Sequence, residues 1–399
     1  MNNAKFLPLD KRADTTALRQ PKELCSFSRT FDGEYANDDS SLSYFFLPDS
    51  DVDTNIDLSA GFKHFKKFDE DRDGEFDGLL NSIKNYEEKN ETTVKAEIIT
   101  WRGIMTKLLT LPYNQKDPID LNLVYFDGHI FIQQDPKAKK AAAQQQKTDA
   151  YGEKLQYSGY KFESVATVPK PLAQASRNMI EKRHKKVVNN VEQYCSVVRT
   201  GVGSHKIVIG GEVDCVWDYK PTDTNPLPHY VELKTSKQIS EPGQSVTFEK
   251  KLFKTWAQCF LLGITKVIYG FRDDNLILRS VEEYKTDEIP VLLKSNPVNT
   301  NPKKLNCVDA LKWYGAVVDW IVKEVPQDET KAWRLSYEPT QKTLSLHELS
   351  VDVASEVLNG GVITQDFKDW RAQRKDFKKS KKDKKEKKEK KEKKEKADS

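Results

Sequence analysis

The sequence predicts a mixed α/β (α+β) protein in which two mixed or mostly antiparallel β-sheets form a central core with helices around them. Three features predict it. Through the second half of the chain, strand-like runs alternate with helix-periodic ones. At LNLVYFDGHIFI, two apolar runs flank Asp127-Gly128, a dipeptide that readily adopts the backbone of a tight hairpin turn. With 399 residues, 37% of them hydrophobic, the chain can bury the core of one large domain or two smaller ones.

The first 60 residues mix polar stretches, prolines and the aromatic run SYFFLP (43–48), and read as an extended arm wrapped on the body. Residues 61–90 read as helical and heavily charged. Within them DEDRDGEFDGLL imitates a calcium loop, with Asp69, Asp71, Asp73 and Gly74 at positions one, three, five and six. Position twelve needs a bidentate Glu and has Leu80, so calcium binding is not expected. VKAEIITWRG predicts a strand and IMTKLLTLP a helical turn. The polar, low-complexity stretch 137–150 predicts an exposed loop or a mobile helix. Next come a strand-like SGYKFES (158–164), a basic helix RNMIEKRHKK (177–186) and the strands VIGGEVDCVWDY and YVELKT. A helix over about 248–262, the strands KVIYGFRD and LILRSVEEY, and a helix over about 308–325 complete the series. From Lys378 the chain is lysine and glutamate with no apolar residue able to join a core, which predicts disorder or a lone charged helix.

No apolar run approaches the ~18 residues of a membrane helix, and MNNAKFLPLDKR lacks the apolar segment of a signal peptide. A protein kept inside the cell, with no membrane partner, is expected. Cys25, Cys195, Cys215, Cys259 and Cys307 are scattered without a C-x-x-C pair, so buried thiols are expected rather than a zinc site or a disulfide framework. The net charge of +4 is too small to indicate nucleic acid by itself. The positive run 177–186 can track a phosphate backbone or be a solvated helix face. The lysine-rich tail suits nuclear import or nucleic-acid tethering, or simple solubilisation.

The chemistry concentrates in GGEVDCVWD (210–218) and HYVELKTS (229–236), read as one β-hairpin. Side chains alternate along strands, so Glu212 and Asp214 share a face, as do Glu232 and Lys234, while Val213, Cys215, Val231 and Leu233 take the other. Crowded carboxylates are driven toward protonation unless a cation neutralises them, and these hard oxygens suit Mg²⁺ or Mn²⁺. Asp214 followed 18 positions on by Glu232-x-Lys234 is the D…ExK pattern of many nucleases. There Asp and Glu hold metal, and Lys steadies the attacking water and the charge on phosphorus. Without the companion EVD, a structural Glu232–Lys234 salt bridge is the default reading. Glu163 closes a strand-like run, where a lone Glu is usually solvated. Gln258 stands beside the apolar stripe of EKKLFKTWAQCFLLG, free to turn toward a phosphate or to stay at the rim. Arg102 precedes Gly103 after a strand; its fork suits phosphate, and a structural salt bridge is as common.

SGYKFE, GGEVDCVWD, VELKTS and FKTWAQCFLLGI, in this order and with TWRGIMTKLL upstream, resemble the DXO/Rai family of RNA 5′-end decapping enzymes and pyrophosphohydrolases. TTALRQPKELCSFSRT, IEKRHKKVV, SVVRTGVG, KVIYGFRDD, IPVLLKSNP and ALKWYG extend the resemblance to its fungal nuclear branch, over about residues 15–372. The resemblance implies that Glu163, Glu212, Asp214 and Glu232, with the main-chain carbonyl of Leu233, hold one or two Mg²⁺ or Mn²⁺ ions directly or through water. It implies Lys234 and Gln258 at the scissile phosphate and attacking water, and Arg102 on a phosphate of the RNA end. The implied activities are removal of pyrophosphate from 5′-triphosphate RNA and release of unmethylated or incomplete caps, and of nucleotide caps such as NAD, leaving 5′-monophosphate RNA. Binding and stimulation of a nuclear 5′→3′ exoribonuclease, and residence in the nucleus, are implied with them. Residues 1–372 are then one catalytic domain with its cleft between the sheets, and 373–399 a disordered Lys/Glu-rich tail. A mainly non-catalytic stabiliser of the exoribonuclease, a cytoplasmic relative with added 5′→3′ exonuclease activity, and a DNA endonuclease are the alternatives.

Overall fold

Two sheets organise the protein, described here by a computed structural model over residues 4–14, 17–68, 76–145, 149–301 and 304–375. The larger has the spatial order Lys5–Pro8, Thr343–Glu348, Ala332–Tyr337, Ile119–Phe126, His129–Gln134, Ile98–Trp101, His205–Glu212, Gln193–Val202, Leu18–Arg29, Tyr35–Ala36. Ile98–Trp101 runs parallel to both neighbours and the other ladders are antiparallel, so the sheet is mixed. The smaller has the order Leu278–Lys285, Lys266–Arg272, Tyr230–Lys237, Cys215–Val216, Tyr44–Phe45, Thr167–Val168, and is also mixed.

The two-residue period of the strands sorts side chains into separate cores. Ile98, Ile207 and Ile209 face a central core, and Ile99, Val197 and Val208 face the opposite side of the large sheet. The central core is filled by three helices, Arg102–Thr110, Pro242–Leu262 and Cys307–Glu324, which also pack on Val267 and Tyr269 of the small sheet. Asp77–Lys89 covers the far face of the large sheet, and Ala150–Val165 covers the outer face of the small one. Local signals set these helices. Pro242–Leu262 begins with a capping box between Glu241 and Gln244 and ends at Gly263, whose φ of 86° favours glycine. The Asp127-Gly128 turn has φ of 49° and 86°, the left-handed pair a two-residue hairpin requires.

Several local readings are corrected. The amino-terminal segment is not a wrapping arm: Leu18–Arg29 lies inside the large sheet and Tyr44–Phe45 inside the small one. Among the described residues of 61–90, the α-helix is Asp77–Lys89, with one 3₁₀ turn at Phe62–His64. Asp69, Asp71, Asp73 and Gly74 lie outside the described residues, and Leu80 is a core residue at 1% exposure. SGYKFES is helix rather than strand, inside Ala150–Val165, whose N-cap Asp149 accepts the Gly152 N–H at 2.7 Å. The reason is visible over a longer window. Tyr157, Ser158, Lys161, Phe162 and Val165 are buried at helical spacing, a pattern that seven residues cannot display. The stretch 137–150 contains helix, Pro136–Gln145. A final helix at 365–375 runs past residue 372, and its Arg371 and Arg374 meet the buried Glu87 at 2.6 and 2.8 Å; residues 376–399 lie outside the described range. All five cysteines are free, four of them buried. Among the described residues no helix is long and apolar enough to cross a membrane.

Candidate active site

Two glycines bring the acids into place. In the parallel ladder Gly210 lies opposite Trp101, and a Cβ there would stand 2.7 Å from the indole ring. A Cβ on Gly211 would stand 3.1 Å from Cβ of Arg102 and 3.0 Å from the Leu262 side chain. Gly210-Gly211 therefore lets the strand bearing Glu212 press against the start of the helix Arg102–Thr110. The chain then leaves the large sheet. Val213 is buried in the central core with its N–H on the Tyr194 carbonyl at 2.9 Å, and Cys215–Val216 joins the small sheet beside Tyr230–Val231. The expected hairpin is thus reduced to its Cys215–Val216 end, and Glu212 closes a strand of the other sheet. Cys215, Val231 and Leu233 do share the outer core as expected, whereas Val213 enters the central one.

Glu232 sits at the middle of Tyr230–Lys237, its side chain 1% exposed. Oε1 is 2.5 Å from Lys234 Nζ and Oε2 is 3.6 Å from Arg102 Nη1. Glu232 Oε2 and Arg102 Nη1 are buried without a hydrogen-bond partner. Asp214 accepts the Leu233 N–H at 2.6 Å. Glu163 reaches the same region from the helix Ala150–Val165, half-buried like Glu212 and Asp214. Gln258 is half-buried on Pro242–Leu262, next to Cys259, whose thiol is pushed up by burial and then by Glu232.

The electrostatics divide the acids. Burial and then Asp214 and Glu212 push the Glu163 carboxyl well up. Burial, and the neighbouring Glu232, raise Asp214 to about 7. Burial raises Glu212 as well, against the pull of Arg102. Glu232 goes the other way: burial opposes its charge, but Lys234 and Arg102 outweigh it and hold the carboxyl low. Lys234 is raised in turn, Glu232 and Asp214 overcoming its own desolvation. Among the described residues no three acidic, imidazole or thiol side chains close around a point as an ion would require. The acids share one region and one field. Their mutual repulsion and the unsatisfied Glu232 Oε2 are what a hard divalent cation relieves, so the donor set fits Mg²⁺ or Mn²⁺.

Glu212 stands between two openings. One is lined by Glu163, Asp214, Tyr160 and Lys186. The other, of about 360 Å³, is lined by Arg29, Phe68, Trp101, Lys107 and Lys139. Cations alternating with aromatic rings suit a single-stranded nucleic acid. No spacing along the chain singles out this lining, because Arg29, Phe68 and Lys139 are brought from separate segments to the stretch that holds Trp101 and Lys107. Of the basic run 177–186, Arg183 is buried against the Val165 carbonyl and Asp51, so the run is not one uniform solvated face.

A lysine paired with a buried glutamate, three half-buried acids at the junction of two mixed sheets, and a neighbouring pocket lined by cations have the composition of a nuclease-type hydrolase site. A family model described as RAI1-like PD-(D/E)XK nuclease matches residues 19–368. The decapping nuclease RAI1 of Debaryomyces hansenii is 55% identical over 380 residues, which cover 92% of this chain and 97% of that one. Among solved structures, Candida albicans Rai1 in complex with pU5-Mn²⁺ superposes with a TM-score of 0.88 at 49% identity, over 93% of this chain and 99% of that one. Scheffersomyces stipitis Rai1 in complex with (3′-NADP)⁺ and calcium ion gives 0.87 at 49% identity, over 92% and 100%. The chain belongs to the RAI1-like PD-(D/E)XK nuclease family and is an enzyme of that class.

Proposed function

We propose that this enzyme hydrolyses the phosphate chain at RNA 5′ ends. It removes pyrophosphate from 5′-triphosphate RNA and releases unmethylated, incomplete or nucleotide caps, leaving 5′-monophosphate RNA. The observation that carries the reading is the meeting of Glu163, Glu212, Asp214 and Glu232 with Lys234 and Arg102 at the sheet junction, beside the basic groove. The pU5 and Mn²⁺ bound by the Candida albicans relative, and the dinucleotide bound by the Scheffersomyces stipitis relative, support it.

The four acids and the Leu233 carbonyl would hold Mg²⁺ or Mn²⁺, which when bound neutralises charge on the attacking and leaving oxygens. Lys234, kept charged by Glu232, holds the attacking water and a phosphate oxygen in line. Gln258 orients the same phosphate from the central helix, and Arg102 offers its fork to a phosphate of the RNA end. Because the phosphorus geometry alone is constrained, one site serves several 5′ ends. The catalytic domain extends through the helix 365–375, which is anchored on Glu87, and the Lys/Glu-rich remainder is a tail. The enzyme resides in the nucleus, where it binds and stimulates a 5′→3′ exoribonuclease that degrades its product; the lysine-rich run after Lys378 supports nuclear import.

The test incubates the full chain and Mn²⁺ with end-labelled 5′-triphosphate, GpppN-capped and 5′-monophosphate RNAs. The first two should yield 5′-monophosphate ends, and Glu212→Ala/Asp214→Ala should abolish this while still stimulating the exoribonuclease. Recovery of all three RNAs intact from the parent overturns the enzymatic reading, and trimming of the third assigns it exonuclease activity instead.

A further inference from the structure

A buried polar cluster next to the acids ties the two sheets together. Tyr194, 2% exposed, comes from Gln193–Val202 of the large sheet, and Tyr230, fully buried, from Tyr230–Lys237 of the small one. Their hydroxyls lie 3.2 Å apart. Glu23 accepts from the Tyr230 hydroxyl at 2.8 Å and from Ser196 Oγ at 2.6 Å. Lys220 enters from the loop that joins the two acid-bearing segments, donating to the Tyr194 hydroxyl at 2.7 Å and to Asp39 at 2.6 Å.

The connections run straight to the acids. Through its carbonyl, Tyr194 holds the N–H of Val213, the residue between Glu212 and Asp214. Through its hydroxyl it holds Tyr230, two residues before Glu232 on the same strand face. One residue therefore grips both acid-bearing segments. Buried hydroxyls with satisfied hydrogen bonds hold geometry tightly, because leaving a partner unpaired is costly.

We propose that Tyr194 and Tyr230 are positioning residues: their hydroxyl pair, anchored on Glu23 and Lys220, sets the distance between Asp214 and Glu232 and with it the affinity for a divalent metal. The inference rests on the metal-binding reading of the acids. It goes beyond that reading by assigning metal affinity to a hydroxyl pair outside the set of acids that would hold the metal. A purely structural role would lower stability and leave metal affinity alone.

The experiment titrates the full chain with Mn²⁺ and reads free Mn²⁺ by electron paramagnetic resonance, so it does not depend on which RNA end is cleaved. Tyr194→Phe and Tyr230→Phe keep the rings and remove the hydroxyls. Each should weaken Mn²⁺ binding by roughly fivefold, the equivalent of one net hydrogen bond. The double variant should lose little more than either single one, because the pair acts as a unit. Lys220→Met, further from the acids, should weaken binding in the same direction. Melting with chelator present separates any loss of fold. Parent-like Mn²⁺ affinity in both tyrosine variants overturns the inference, whatever their melting temperatures. A parent that binds no Mn²⁺ overturns the metal reading and this inference with it.

Discussion

Glu232→Gln tests the centre of the site, because its carboxylate is the group on which two cations converge. At an effective dielectric of about 20, contacts of 2.5 Å to Lys234 and 3.6 Å to Arg102 correspond to about 7 and about 5 kcal/mol of attraction before desolvation. Desolvation of a carboxylate 1% exposed cancels most of that gain in the native protein. The variant keeps the desolvation of Arg102, whose side chain is 10% exposed, and loses its counter-charge. Breaking a buried pair from one side typically costs about 3–5 kcal/mol. Two effects reduce the figure here: Lys234, 31% exposed, can turn to water, and Glu212 and Asp214 lose a repelling neighbour. A net loss of about 2 kcal/mol is expected. With an unfolding entropy of about 2 cal/mol/K per residue, the melting midpoint of a chain this size should fall by about 2–3 °C. The assay is thermal unfolding at neutral pH with chelator present, for the parent, Glu232→Gln, Lys234→Met and the pair. The double variant should lose less than the sum of the single ones. Unchanged melting in Glu232→Gln, or strict additivity, would refute the geometry from which the site is argued.

Three further outcomes follow from the packing. Gly210→Ala puts a methyl 2.7 Å from the Trp101 ring, so stability should fall by about 1–3 kcal/mol and KM for RNA should rise as Trp101 and Arg102 shift; an unchanged melting curve and KM would contradict the close approach. Removing residues 376–399 should leave melting unchanged, whereas removing 365–399 should lower it steeply, since Glu87 is fully buried and would lose Arg371 and Arg374; equal melting of the two truncations would show that the last helix does not close the domain. Arg12 holds the Asp309 carboxyl below its ordinary value through contacts at 2.7 and 2.9 Å. Between that lowered value and the ordinary value of about 4 the unfolded chain binds the extra proton, so this contribution is present above the window and lost as pH falls through it. Unfolding followed from pH 6 to 3 should therefore be less steeply pH-dependent in Asp309→Asn than in the parent, and parallel curves would count against the pair.

Much of the site was legible before any fold. Glu232 and Lys234 share a face and Leu233 opposes them because alternation is a property of any extended strand, wherever it pairs. The Asp127-Gly128 turn and the apolar stripe of Pro242–Leu262 were equally local. Glu163 joins the cluster by resemblance alone, while SGYKFES taken by itself reads as strand, because the helical stripe from Tyr157 to Val165 is longer than those seven residues. Tyr194 and Lys220 lie in no motif, and Tyr230 and Glu23 lie in stretches whose pattern says nothing of their pairing. They come from separate segments, and no spacing along the chain records that their hydroxyls and charges meet.

The sequence by itself determined the reagents: hard acids, a lysine two positions from a glutamate, and the strand and helix periods that orient them. Those properties are steric and chemical, acting over a few residues. The tertiary structure alone decided that Glu212 ends a strand of one sheet while Asp214 leads into the other. That choice depends on burying Val213 in the central core and Cys215 in the outer one, and on glycines small enough for Trp101 and Arg102 to approach. Such burial is summed over both sheets at once, so it has no local signature in the chain.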